Sequence, residues 1–228
     1  MPPVGQLIQK FLRFFFHHLY TTIAWIYDFV AMVSSVGQWR TWQQAGVDAI
    51  QQGTVLELGY GTGHVLLNFF KGGIIPFGAD PSRQMAGITK RRLRKAGFEP
   101  RITLATAQTL PFPSETFDSI ISTFPSDYIL EQSTLAEAWR VLVPKGRFVI
   151  IPGIAKITGY PERGLSILSV LDRAASLLYR TTGESIDPEL IWKERIRERF
   201  IQEGFEPELS LIQQDRAVVI RIIAIKQP

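Results

Sequence analysis

Three glycines at alternate positions close the stretch Val55-Leu56-Glu57-Leu58-Gly59-Tyr60-Gly61-Thr62-Gly63, directly after an apolar run that carries one acid, Glu57. Glycine reaches φ values closed to other residues and has no Cβ to collide with a bound group, so the pattern lets backbone approach a ligand closely. Spacing narrows the choice of ligand. A dinucleotide fingerprint needs G-x-G-x-x-G ahead of a helix N-terminus that takes the pyrophosphate. Here the third glycine comes one position early, and His64 stands where that pattern needs glycine. A phosphate loop fails as well, because no Gly-Lys-Ser/Thr follows. A second apolar run, Ile74 to Ala79, stops at Asp80, roughly 20 residues beyond the first acid. A carboxylate at the carboxyl end of a second strand can take both hydroxyl protons of a ribose diol. The same Asp could instead cap a helix, and the glycines could be a bare strand-to-helix turn.

Further along the chain, Thr106-Ala107-Gln108-Thr109-Leu110-Pro111-Phe112-Pro113 follows a third β-rich stretch. Phe117-Asp118-Ser119-Ile120-Ile121-Ser122-Thr123 reads as a fourth strand, and Trp139 to Arg147 as a helix end and the turn before a fifth. Taken in order with the G-x-G-x-G loop and Asp80, these segments resemble the class I S-adenosylmethionine-dependent methyltransferases. The resemblance implies S-adenosylmethionine as cofactor. It assigns Gly59, Tyr60, Gly61 and Gly63 to the methionine side, with Glu57 orienting the loop. Asp80, followed by Pro81, would meet the ribose. Met85 would pack on the adenine face, beside Thr106, Ala107 and Gln108. Thr123 and Phe124 would line the cofactor at the end of the fourth strand. The family usually reads Asp-Ala-Glu-x-Leu-Pro-Phe where this chain begins with Thr106, so adenine recognition leans on backbone at Ala107 and the amide of Gln108.

Residues 1–50 carry a second resemblance. Ile23-Ala24-x-x-Tyr27-Asp28, then Ser35-x-Gly37 and Trp42, follow the order of the N-terminal region in the ubiquinone and menaquinone biosynthesis C-methyltransferases. In those enzymes the tyrosine helix closes over the methionine part of the cofactor, which implies that role for Tyr27. Tyr27 and Trp42 could equally be core aromatics of a docking helix. After the fourth strand those enzymes read Phe-Gly-x-Arg-Asn, whereas this chain reads Phe124-Pro125-Ser126-Asp127-Tyr128.

The elements needed to hold these residues follow from length and pattern. At 228 residues and 46% hydrophobic composition, the chain suits one α/β domain with decorations. Strands and helices alternate from Thr54 to Ile151, which implies right-handed crossovers and a parallel sheet. Two β-rich runs, Glu206 to Gln214 and Ala217 to Lys226, read as an antiparallel hairpin around Asp215-Arg216. The resemblance to the class I methyltransferases implies the full α/β, Rossmann-like fold: a seven-stranded mixed sheet, mostly parallel with one antiparallel C-terminal strand, flanked by helices. Residues 1–50 are expected to supply N-terminal lid helices. Residues 51–228 form the catalytic domain, with an inserted helical segment at about 155–187 completing the lid, all within a single structural domain. Helices are expected over Leu165 to Tyr179 and Pro188 to Glu203, the latter stopped by Gly204.

Composition excludes some chemistry. The chain has no cysteine, hence no disulfide or thiol nucleophile, and His17, His18 and His64 show no metal-ligand spacing. A net charge of +4 permits attraction to anionic partners without demanding it. Lys90-Arg91-Arg92-Leu93-Arg94-Lys95 reads as a solvated helix face, so no nucleic-acid partner is expected. The apolar run Phe11 to Val36 contains Arg13, His17, His18 and Asp28, which argues against a span or a signal core. A cytoplasmic protein with peripheral membrane contact is expected.

Methyl transfer from a sulfonium is an in-line displacement that needs alignment and exclusion of water, and no metal. If the acceptor is a phenol, enol or aromatic carbon, a base would help. His64, Asp127 and Tyr128 are the candidates, each also explicable as a local cap or packing residue. Aromatic residues Phe14, Phe15, Phe16, Trp25 and Tyr179 suggest an apolar lid and a small hydrophobic acceptor, such as a quinol, phenol or lipid-like molecule. Thr106 and the lack of an evident base keep open a non-catalytic or membrane-associated regulatory protein. The residues specify neither the acceptor nor an oligomeric state.

Overall fold

The computed structural model describes residues 39–50, 53–157, 196–215 and 217–228. Its strands are β1 (Val55–Leu58), β2 (Pro76–Ala79), β3 (Ile102–Thr103), β4 (Phe117–Thr123), β5 (Leu142–Ile157), β6 (Phe205–Gln214) and β7 (Ala217–Lys226). They form one sheet in the order β3-β2-β1-β4-β5-β7-β6. Neighbours from β3 to β5 run parallel, while β7 runs antiparallel to both β5 and β6. One strand is thus reversed, as the sequence implies. The described helices are α1 (Trp39–Val47), α2 (His64–Lys71), α3 (Arg83–Lys95), α4 (Gln132–Val141) and α5 (Arg197–Gln202), with a 3₁₀ turn at Asp127–Leu130.

Burial explains the strand assignments. All four residues of β1 are buried, as are six of the seven in β4, the near-continuous apolar character of parallel strands covered on both faces. Phe117, Ile120, Phe148 and Ile150 from β4 and β5 meet Phe200 of α5 and Phe205 of β6 in the main core. Helix α3 buries Met85, Ala86, Thr89 and Leu93, spaced to share one face, and leaves Arg83, Lys90, Arg91, Arg94 and Lys95 exposed. Ser82 starts this helix by accepting the Met85 N–H at 3.3 Å.

One expectation changes. The turn expected before the fifth strand lies inside β5 as an irregularity: Leu142 pairs with Phe117 and the next partners are Ser119 and Arg147. Lys145 adopts a φ of 64° there, which lets the strand absorb the surplus residues without leaving the sheet. The helix expected over Pro188 to Glu203 is described only as Arg197–Gln202, ending before Gly204 at a φ of +81°. Tyr27, the rest of residues 1–38, and the inserted segment from 158 through Tyr179 to 195 lie outside the described residues. The end of the 1–50 segment is described: Trp42 and Ala45 of α1 pack with Ile151, Ala217 and Val219. Among the described residues, no helix is long and apolar enough to cross a membrane, and no group of three or more His, Asp or Glu could hold a metal ion.

Sheet order reverses between β1 and β4. A crevice therefore opens beyond the carboxyl ends of these two strands, where open α/β sheets bind ligands.

Candidate functional site

The glycine loop begins where β1 ends. Gly59, Gly61 and Gly63 take φ values of 71°, 49° and 78°, all in the left-handed region, so the alternate spacing reflects a backbone requirement. The Gly59 N–H donates to the Ala79 carbonyl at 2.8 Å, and the Gly63 N–H to the Tyr60 carbonyl at 2.8 Å. A Cβ at Gly61 would meet nothing closer than the Gly59 oxygen at 4.0 Å, whereas one at Gly63 would lie 2.6 Å from the Thr89 Cγ2. One side of the loop is open and the other is packed against α3.

Asp80, at the end of β2, fastens this loop. Its Oδ2 accepts the Gly61 N–H at 2.9 Å and its Oδ1 accepts the Ser82 N–H at 2.8 Å. Each oxygen keeps a second acceptor site for a ligand hydroxyl. Burial raises its pKa, while the two N–H bonds pull the other way. Glu57 lies deeper. It is 2% exposed, its Oε2 has no hydrogen-bond partner, and the Leu66 N–H bonds the carboxyl group. Leu66 stands in the first turn of α2, whose Gly63 cap offers no side chain, so Glu57 supplies an acceptor at that helix N-terminus. Burial raises the Glu57 pKa well above 4.5, and the nearby Asp80 adds to the rise.

Tyr60 turns away from the open side, 3% exposed among Leu66, Met85, Ala86 and Leu93, and its ring contacts the place where Gly78 lacks a Cβ. Burial raises its hydroxyl pKa, with Asp80 and Glu57 adding to the effect. Met85 is 1% exposed and belongs to the same core cluster, while Pro81 is exposed. Thr106 is exposed and Ala107 buried. The Gln108 amide donates to Glu131 at 2.8 Å, a partner on the α4 side of the crevice.

Across the switch point, Ser122 Oγ donates to the Leu58 carbonyl at 2.8 Å and ties β4 to β1. Thr123 accepts a hydrogen bond from Gln43 Nε2 at 3.1 Å, and Gln43 Oε1 is buried without a partner. Phe124 holds a φ of 52°, uncommon for a bulky residue, and stacks on Trp39 at 4.0 Å between centroids. The Tyr128 hydroxyl lies over Gly59, 2.7 Å from where a Cβ would stand. Asp127 is exposed at the start of the 3₁₀ turn, and His64 is half-buried in the first turn of α2.

The structure therefore brings together Glu57, the three glycines, Asp80, Thr123, Phe124 and Tyr128, and gives Tyr60 and Met85 core positions. Sequence reading missed Gln43, Thr89, Arg92 and Ser122. A hydroxyl within the apolar run of β4 was the available signal for Ser122, which is fully buried, whereas Thr89 lies in a polar helix that offers none. The open face at Gly61, the free acceptor sites on Asp80 and the orphaned Glu57 Oε2 fit a ligand with a ribose diol and an amino group.

Residues 56–150 match the methyltransferase domain family. The chain is 32% identical over 142 residues to a ubiquinone/menaquinone biosynthesis C-methyltransferase of Geobacter sulfurreducens, covering 58% of this chain and 56% of that one. A demethylmenaquinone methyltransferase of Thermus thermophilus is also 32% identical over 142 residues, covering 58% and 63% respectively. The chain thus spans less than two thirds of either relative. Among solved structures, an S-adenosylmethionine-dependent methyltransferase of Aquifex aeolicus shares the fold at a TM-score of 0.55 and 16% identity, covering 82% of this chain and 92% of its own.

Proposed function

We propose that the protein, whose residues 56–150 match the methyltransferase domain family, transfers a methyl group from S-adenosylmethionine to a small hydrophobic acceptor such as a quinol, phenol or lipid-like molecule. The observation that carries this reading is the loop of three left-handed glycines bonded through the Gly61 N–H to Asp80, at the switch point of the sheet. S-adenosylmethionine supplies an electrophilic methyl group on its sulfonium. Gly59, Gly61 and Gly63 admit its methionine side, and the buried Glu57 orients the loop and reaches the amino group through water. Asp80 receives the ribose hydroxyls beside Pro81. Ala107 and Thr106 flank the adenine, with Met85 backing that wall from the core.

Thr123, Phe124 and Tyr128 form the opposite wall. There the residues align the acceptor and exclude water, which is most of what an in-line displacement asks of a protein. Tyr128, whose hydroxyl overlies Gly59, is the side chain we assign to holding an acceptor hydroxyl. His64 and Asp127 are the remaining candidates for a base. The acceptor class is supported by the names of the quinone-methylating relatives, and a greasy acceptor agrees with the Trp39–Phe124 stack. A hydrophobic acceptor also suits a cytoplasmic protein that touches membranes peripherally.

Calorimetric titration with S-adenosylmethionine and S-adenosylhomocysteine, followed by transfer of a labelled methyl group to quinols, phenols and lipids, tests the reading. Micromolar binding with turnover of one acceptor class is expected. Binding without turnover of any acceptor would favour a non-catalytic protein, to which the neutral Thr106 also points. No binding would remove both.

A further inference from the structure

We infer that Thr89 and Arg92 of α3 are positioning residues that hold the glycine loop in its ligand-ready shape, an inference that deepens the cofactor assignment above. Thr89 is fully buried in mid-helix. A threonine there commonly turns its hydroxyl onto its own helix, four residues back. Here Thr89 Oγ1 donates to the Gly61 carbonyl at 2.8 Å, across 28 residues of sequence. Arg92, three residues on and so on the same helix face, donates from Nη1 to the Thr62 carbonyl. Two consecutive loop carbonyls are thereby drawn toward α3.

The same helix is tied back to the loop at its other end. Asp80 accepts the Gly61 N–H and the Ser82 N–H, and Ser82 caps α3 by accepting the Met85 N–H. Loop, Asp80, Ser82 and α3 thus form a closed circuit of polar contacts that Thr89 completes. Gly61 is gripped from both sides: its N–H by Asp80 and its carbonyl by Thr89. Left-handed backbone at Gly61 is only weakly specified by glycine itself, which populates many conformations. The two grips select one of them before any ligand arrives, which lowers the ordering cost of binding.

The Thr89 methyl has a second part in this. A Cβ at Gly63 would fall 2.6 Å from its Cγ2 and 2.8 Å from its Oγ1, so the third glycine is required partly because Thr89 occupies that space. Thr89 and Gly63 are therefore a complementary pair, one filling the space that the other leaves.

Thr89→Val keeps the shape and removes the donor, Thr89→Ser keeps the donor and removes the methyl group, and Arg92→Met removes the second grip. Amide hydrogen exchange at Gly61 and Gly63 in the free protein reads the loop alone, and S-adenosylhomocysteine titration reads its consequence. We expect Thr89→Val to speed exchange at both glycines about fivefold or more, as loss of one net hydrogen bond implies. It should weaken S-adenosylhomocysteine by a similar factor and raise KM for S-adenosylmethionine, with kcat at saturation unchanged. Thr89→Ser should restore most of both, and Arg92→Met should show the same pattern more weakly. Unchanged exchange in Thr89→Val, or an equal loss in Thr89→Ser, would overturn the inference. If the wild-type protein binds no S-adenosylhomocysteine, the cofactor reading fails while the exchange comparison still decides whether Thr89 and Arg92 hold the loop.

Discussion

On the β1–β2 side of the crevice the backbone is held by polar side chains, whereas on the β4 side it is held by packed rings. Asp80, Thr89, Arg92 and Ser122 each bond to main-chain atoms in or beside the glycine loop. Beyond β4, by contrast, Phe124 sits at a φ of 52° under a Trp39 stack, and Gln43 bonds to Thr123. Polar grips fix individual backbone atoms, whereas aromatic packing fixes a surface. Strained backbone at Phe124 persists because the surrounding packing over-determines it.

The hardest test of that contrast is Gly63→Ala. A side chain at a φ of 78° costs roughly 1–2 kcal/mol, and overpacking against the buried Thr89 adds about 1–3 kcal/mol. A lower urea midpoint and lost S-adenosylhomocysteine binding are expected, and an unchanged midpoint would mean that the loop is not packed as described. Asp80→Ala comes next. It removes the acceptor for the Gly61 and Ser82 N–H groups as well as the proposed ribose partner, and bonds to charged groups are worth roughly 1.5–3 kcal/mol. Calorimetry should show about tenfold weaker S-adenosylhomocysteine binding or worse, and an unaltered dissociation constant would strip Asp80 of its ribose role.

Buried carboxylates on the same side make stability depend on pH. Burial, then Asp80, raises the Glu57 pKa above 4.5, so the folded protein holds that proton more tightly than the unfolded chain. Unfolding free energy should therefore fall as pH rises above about 4.5 toward the folded pKa, because the unfolded chain then binds fewer protons. Glu57→Gln does not titrate and should flatten that fall. Asp118 and Glu137 act in the opposite window: their lowered pKa values give stability that is lost as pH drops below the ordinary 3.8 and 4.5. Asp80, its pKa raised by burial, adds a fall of the same sign starting from about 3.8, so the difference between wild type and Glu57→Gln in denaturant titrations above pH 4.5 reads the Glu57 part, and parallel slopes for the two would refute it.

What could be read from the residues divides along the same line. Strands β1, β2, β4, β6 and β7 announce themselves as apolar runs, the glycines and Asp80 by spacing, and α3 by its buried period. The hairpin at Asp215 makes β6 and β7 antiparallel to each other, but that β7 is the reversed one follows from the sheet order, in which β7 lies between β5 and β6. Thr89 and Arg92 were illegible because their partners lie 28 and 30 residues away, and no local pattern encodes a side chain reaching another element's carbonyl. The bulge within β5 was read as a turn, since Pro144-Lys145-Gly146 is turn chemistry and only pairing with β4 shows that the strand continues through it. The resemblance implies an adenine-face role for Met85, one turn into α3, and the amphipathic face of that helix turns it into the core.

The smallest effect is the most discriminating, because it falls on the ring-packed side. Gln43→Leu removes the bond to Thr123 and also the buried Oε1 that has no partner. Loss of the bond costs about 0.5–1.5 kcal/mol, while deleting an orphaned buried oxygen returns part of it, so overall stability should shift by no more than about 1 kcal/mol. The side-chain hydrogen bond of Gln43 runs to Thr123 and not to Asp80, Thr89 or Arg92. S-adenosylhomocysteine affinity should therefore stay at the wild-type value, while kcat/KM for the acceptor falls about two- to tenfold through the displaced Thr123 and Phe124. A matching loss of cofactor affinity would show that the two walls are mechanically one, and that the polar circuit of the glycine loop extends through Ser122 and Thr123 to α1.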